Sequence, residues 1–190
     1  RINELFILAY QVQTDFVKDI ALQDISILDD ELIKTNLDSK NPNSPQNINQ
    51  FKKNVVVQQL ISYFVGCSFG RYRLNDGGLK IAYVKSLQED KESYRFNDKL
   101  FEIDNDSIVP MLDANSPFND NIIERFKYFL QIVWGEETLT ENINFVNTSL
   151  GMDIEKYLTE KFWDFHKKMY QKKPIYWLFT SPEGSFKVLT

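Results

Sequence analysis

The chain has 190 residues, 43% hydrophobic, 26% charged and 14% aromatic, a balance that excludes disordered and fibrous classes and marks a folded domain. Fifteen Phe, nine Tyr and three Trp can build a core without disulfides, and the single Cys67 reads as a small buried apolar residue of a protein kept in a reducing cytoplasm. No apolar run approaches the ~20 residues of a membrane span, and a net charge of −5 excludes a surface coated in positive charge for nonspecific nucleic-acid binding.

Apolar positions Leu5, Phe6, Ala9, Phe16, Val17 and Ile20 recur at helical spacing and predict a helix over 2–20. Ile25-Ser26-Ile27-Leu28 follows, then a polar tract at about 36–49 with Pro42 and Pro45, which reads as a loop or insertion inside a single domain spanning 1–190. Val56, Leu60, Tyr63, Phe64 and Cys67 mark a second amphipathic helix over 49–69, with Gly66 and Gly70 bracketing its end. Asn75-Asp76-Gly77-Gly78 is turn chemistry; a strand is expected at 80–84 and short strands between Tyr94 and Met111.

The C-terminal half is punctuated more clearly. Ile122, Ile123, Phe126, Phe129, Leu130, Val133 and Trp134 form a helical stripe closed by Gly135. Thr138 and Glu141 stand at capping-box spacing ahead of Leu139, Ile143, Val146 and Leu150, and Gly151 ends that helix. Asp153 can cap a third helix whose buried stripe is Ile154, Tyr157, Leu158, Phe162, Phe165 and Met169, ended by Pro174. Residues 175–179 and 186–189 flank Ser181-Pro182-Glu183-Gly184 and predict a β-hairpin. The fold class expected is α+β and predominantly α-helical, amphipathic helices packed with a few short antiparallel strands including this C-terminal hairpin. The apolar-alternating finish at Lys187-Val188-Leu189-Thr190 and the start at Arg1 read as an excised piece of a larger protein.

Several chemistries lack their residues. Gly77-Gly78 has neither the strand nor the spacing of a nucleotide-binding turn, and no Asn/Asp-Pro-Pro-aromatic loop of an amino-methyltransferase occurs. Glu89-Asp90-Lys91 and Asp38-Ser39-Lys40 match the acid-x-lysine pair of metal-dependent nucleases only by letter, in very polar surroundings. The lone His166 has no cysteine partner nearby for zinc and reads as a solvated or core-edge histidine. No catalytic, cofactor-binding or metal-binding residue is therefore assigned.

Charge is nevertheless uneven, because residues 161–174 hold Lys161, Lys167, Lys168, Lys172 and Lys173 against Asp164 alone. On the third helix, Lys156, Glu160, Trp163, Lys167 and Tyr170 fall at i, i+4, i+7, i+11 and i+14, so one face carries two lysines to neutralise phosphates and two aromatics to stack on bases. The alternative is a solvated face whose Trp packs on a neighbouring domain. Arg71 and Arg73, flanking Tyr72, form a smaller candidate, or else charges that complement a helix C-terminus.

Three stretches, Gln59-Leu60-Ile61-Ser62-Tyr63-Phe64-Val65-Gly66-Cys67-Ser68-Phe69-Gly70-Arg71-Tyr72, Ile108-Val109-Pro110-Met111-Leu112-Asp113 and Lys173-Pro174-Ile175-Tyr176-Trp177-Leu178-Phe179, together resemble the segment after the catalytic domain of PglX-like adenine-specific DNA methyltransferases of bacteriophage-exclusion (BREX type 1) systems. Asn3-Glu4-Leu5-Phe6, 121–126 and 162–166 extend the resemblance over nearly the whole chain. It implies a non-catalytic linking or DNA-recognition region of a bacterial cytoplasmic enzyme that uses S-adenosylmethionine and acts on double-stranded DNA, with the catalytic motif N-terminal to Arg1. The alternative, from a different class, is a scaffold that docks other phage-defence subunits without touching DNA.

Overall fold

Turn-forming Asn, Asp and Gly separate the apolar stripes, so the elements are short and the chain reverses tightly between them. The structure, a computed structural model, describes residues 32–33, 50–80, 93–112, 118, 120–184 and 186–190. The helix expected over 2–20, the stretch 25–28, the polar tract at 36–49, both acid-x-lysine matches and all but the first residue of the strand expected at 80–84 lie outside the described residues. Contacts divide the chain after Val55 into two compact units. In the first, β1 (Leu32–Ile33) and β2 (Gln50–Phe51) pair antiparallel, Leu32 opposite Phe51. The second, Val56–Thr190, carries the remaining strands and all of the described helical residues but 53–55, and its architecture is α+β and predominantly helical, as the sequence implies.

Helix α1 (Lys53–Ser68) buries Val57, Ile61, Phe64, Val65 and Cys67, while Val56 is exposed. Of the expected stripe, Phe64 and Cys67 are buried and Leu60 and Tyr63 pack half-buried against the core, while Val56 gives way to Val57. The helix is apolar on more than one side (Val55-Val56-Val57, Leu60-Ile61), so periodicity alone cannot select the buried face. Packing selects it: the Phe64 ring meets Phe126 edge-on at 5.1 Å and lies 5.3 Å from Phe129. Burial also pushes the Cys67 thiol up to about 12, so it is an inert core residue.

The expected strands between Tyr94 and Met111 are β3 (Tyr94–Phe96), β4 (Lys99–Phe101) and β5 (Val109–Pro110). Asn97 and Asp98 join β3 to β4 with φ of 48° and 62°, the two positive values that a two-residue hairpin loop matching strand twist requires. The hairpin is fastened to α2 (Ile122–Trp134), since Asn97 Nδ2 donates to the Ile132 carbonyl at 3.1 Å and Tyr128 Oη to that of Leu100 at 3.0 Å. Gly135 ends α2 at the expected place, with φ of 98°.

Helix α3 (Leu139–Leu150) ends at Gly151 in the left-handed conformation, as expected. Its capping box does not form. The Thr138 hydroxyl donates back to the Trp134 carbonyl at 3.0 Å and accepts from Asn142 Nδ2, so it links α2 to α3 rather than capping a free N–H. Asp153 does cap the next helix, its carboxylate accepting from Glu155 N–H at 2.8 Å.

That helix is not uniform. α4 (Ile154–Lys156) runs into a π turn, Tyr157–Lys161, and continues as α5 (Phe162–Met169). The wider turn changes which residues face inward: Ile154, Tyr157, Leu158 and Phe162 are buried as expected, but next comes His166, fully buried, while Phe165 is half-buried and Met169 exposed. Finally β6 (Leu178–Thr180) and β7 (Lys187–Leu189) form the predicted hairpin. The sheet order is β5-β7-β6, so Val109–Pro110 joins it as an edge strand, a position that tolerates a proline without an N–H.

Candidate nucleic-acid interface

The end of α1 positions the first arginine. Gly70, with φ of 71°, lets its own N–H reach the Cys67 carbonyl at 2.9 Å and the Arg71 N–H reach that of Gly66 at 2.7 Å, the paired bonds of a Schellman motif. Tyr72 then folds back over Gly66 and stacks on Tyr63, ring centroids 5.4 Å apart. Arg71 is left half-buried, with its Nε enclosed and without a hydrogen-bond partner, close enough to His166, Tyr170 and Tyr176 to perturb all three electrostatically. Arg73 diverges from it, its guanidinium 4.8 Å from the centre of the Tyr94 ring.

His166 is the hub that sequence reasoning misses. Trp163 stacks on its ring at 5.7 Å, while Tyr170 lies at 4.8 Å and Tyr176 at 5.0 Å. Its Nε2 accepts the Ile175 N–H at 3.2 Å, which fixes the segment leaving α5, while Nδ1 is buried without a partner. Desolvation, aided by the nearby Arg71 charge, lowers its pKa to about 4, so the ring is neutral. The only legible signal is the aromatic crowd: Trp163 and Tyr170 stand three residues before and four after His166 on one helix, and Tyr176 closes in from the segment that follows it.

The candidate residues are therefore partly regrouped. Trp163, Lys167, Tyr170 and Arg71 come together around His166, with Lys167 Nζ 5.8 Å from the Trp163 ring centre and 3.0 Å from Asp164 Oδ1. Lys156 precedes the π turn, whose extra residue rotates it by about 100° from the straight-helix alignment with Trp163, so the single five-residue face is not kept. Lys156, Lys161, Lys168, Lys172 and Lys173 are exposed, and none of them pairs with an acid among the described residues. Lys187 is committed elsewhere, its Nζ donating to the Thr159 carbonyl inside the π turn at 2.8 Å.

A second concavity, about 370 Å³, opens between α1, β4 and α2 over Phe64, Phe101 and Tyr128. Arg125 lines it but is neutralised by buried Asp104 at 2.6 Å, and Glu102 and Glu124 give it an acidic rim that repels phosphate. Burial holds the Asp104 carboxyl above the usual range against the pull of Arg125. Among the described residues, no group of His, Cys, Asp and Glu could hold a metal ion, and no helix is long and apolar enough to cross a membrane.

No family model matches the chain. It is 40% identical over 147 residues, 70% of its length, to the adenine-specific methyltransferase BrxX of Escherichia coli O9:H4 (strain HS). The adenine-specific methyltransferase PglX of Lacticaseibacillus casei (strain Zhang) is 32% identical to it over 198 residues, 99% of the chain. The chain belongs to the PglX-like sequences. It spans 12% and 14% of the length of these two curated relatives, so the PglX-like chain corresponds to a limited segment of each.

Proposed function

We propose that this chain is a non-catalytic linking and DNA-recognition region of a longer, site-specific adenine (N6) DNA methyltransferase of bacterial phage defence, working in the cytoplasm. The observation that carries the reading is the relation to two adenine-specific methyltransferases over a short segment of their length, joined to the exposed Lys156, Lys161, Lys168, Lys172 and Lys173 and the half-buried Trp163 and Tyr170 between them. An enzyme that modifies a base inside a duplex must extrude it and recognise its neighbours, and a lysine-bearing helix that contacts phosphates serves the second task. S-adenosylmethionine is the methyl donor of the whole enzyme in this reading. The described residues do not fit it: Gly77 and Gly78 stand exposed with no atom packed against the position of a side chain, rather than forming a cradle between strand and helix.

Fluorescence anisotropy of a labelled DNA duplex tests the reading at low and moderate salt, on the wild-type chain and a Lys156→Glu/Lys167→Glu variant. Binding that weakens steeply with salt and is reduced in the variant is the expected result. Absence of duplex binding at low salt would overturn it in favour of a scaffold that docks other defence subunits.

A further inference from the structure

The β5-β7-β6 sheet has one face in the core and an outer face that is open over β6 and closed towards β5, where Pro110, opposite Val188, is buried. Leu189, fully buried, lies opposite Leu178 and Val109 on the inner face. Side chains alternate along a strand, so Trp177 and Phe179 point together to the outer face, where they are 62% and 61% exposed. Trp177 is held in line with β6 because its N–H and carbonyl both bond to Thr190, at 2.7 and 2.9 Å. Val188 stands opposite Phe179, and Phe186, 40% exposed with its ring 6.0 Å from that of Phe118, extends the same face one step along β7. Three aromatic rings on a short sheet are a large outlay of exposed apolar surface, more than scattered exposed residues explain.

The chain that leads into β6 is basic. Lys168 lies in the last turn of α5 and Lys172 and Lys173 in the turn after it; all three are exposed, and none forms an ion pair with an acid among the described residues. Only Pro174, Ile175 and Tyr176 separate Lys173 from Trp177, so the two Cα atoms lie within about 14 Å. The His166–Ile175 bond holds this connection against α5. Aromatics about 7 Å apart along a strand, preceded in the chain by exposed lysines that pair with no acid among the described residues, have the complementary chemistry of unpaired nucleotides: rings for base faces, ammonium groups for phosphates. Duplex DNA does not fit the rings, because its bases are stacked on each other.

We propose that Trp177 and Phe179, with Phe186 beside them, form a stacking platform for unpaired bases of a nucleic-acid strand, fed by Lys168, Lys172 and Lys173. The inference deepens the DNA-recognition reading and rests on it, adding that the ligand of this face is single-stranded. Anisotropy of a labelled mixed-sequence oligodeoxynucleotide, alone and annealed to its complement, is measured with the wild-type chain, Trp177→Ala/Phe179→Ala and Trp177→Phe. The double variant is expected to lose roughly 10- to 100-fold in affinity for the single strand, to keep its duplex affinity, and Trp177→Phe to retain most of the single-strand binding. Circular dichroism of the double variant should match the wild type, since neither ring is in the core.

Unchanged single-strand affinity in a folded double variant overturns the platform while leaving duplex recognition intact. Wild-type self-association that the double variant abolishes, with nucleic-acid binding unaffected, overturns it in favour of a protein contact. Failure of every form to bind either nucleic acid overturns both readings together.

Discussion

Acidification should destabilise the second unit through a single ring. His166 is enclosed and neutral in the folded chain with a pKa of about 4, against 6.5 when exposed, because burial disfavours the imidazolium and Arg71 adds like charge. Between these values the unfolded chain binds the extra proton. Stability therefore rises with pH through the window, is complete above about pH 6.5, and is lost as pH falls towards 4. At about 1.4 kcal/mol per unit, the loss across the whole window is about 3 kcal/mol, a large part of the stability of a small domain. Urea unfolding of the wild-type chain and of His166→Gln at intervals between about pH 7 and pH 4.5 measures it. Glutamine keeps an acceptor for the Ile175 N–H and does not titrate, and the contributions of Asp104 and the other carboxylates are common to both proteins and cancel. The wild type should lose about 2–3 kcal/mol more than the variant over that range. Parallel pH profiles would refute the argument that His166 is held neutral by burial.

Three further substitutions test the packing. Gly66→Ala should lower the unfolding midpoint despite the better helix propensity of alanine, because the new Cβ would sit 2.6 Å from Cε2 of Tyr72; a more stable variant in thermal unfolding would contradict this. Asp104→Ala removes the carboxylate partner of Arg125, which stays partly exposed and bonded to the Asp120 carbonyl, and should cost about 1–3 kcal/mol, part of it recovered when Arg125 is also replaced by Met, as a double-mutant cycle in urea would read out. Asp153→Ala removes the cap of α4 and should cost about 1 kcal/mol by the same measurement, with little change in fold by circular dichroism.

Much of the second unit is legible residue by residue. Gly135 and Gly151 stop their helices where the apolar stripes end, Asp153 caps as an acid ahead of a helix should, and Gly70 announces the Schellman turn that sets Arg71 in place. The failures have physical causes. Thr138 has the spacing of a capping box, but its hydroxyl finds the nearer carbonyl of Trp134. The α1 stripe fails at Val56 because consecutive valines and the Leu60-Ile61 pair make several faces equally apolar, and only the rings of Phe126 and Phe129 decide among them. The burial of His166 is invisible to a 3.6-residue count, since the π turn at Tyr157–Lys161 resets the phase for everything downstream. The same reset separates Lys156 from Trp163, while a turn about 100 residues earlier in the chain delivers Arg71 to Tyr170, a meeting that no local pattern encodes.

The order of strands in the last sheet also governs when the unit can fold. β7 is the last of the sheet's three strands to leave the ribosome and yet the central one, with Val109 on one side of Leu189 and Leu178 on the other. Until it emerges, β5 and β6 have no common partner, and joining Val109 to Leu189 closes a loop of about 80 residues. The helices can gather early through local contacts, but the sheet must wait for the end of synthesis of this region. A nascent chain halted before Lys187 would therefore carry unpaired strand edges and a core missing Leu189, a state suited to capture by chaperones rather than to function.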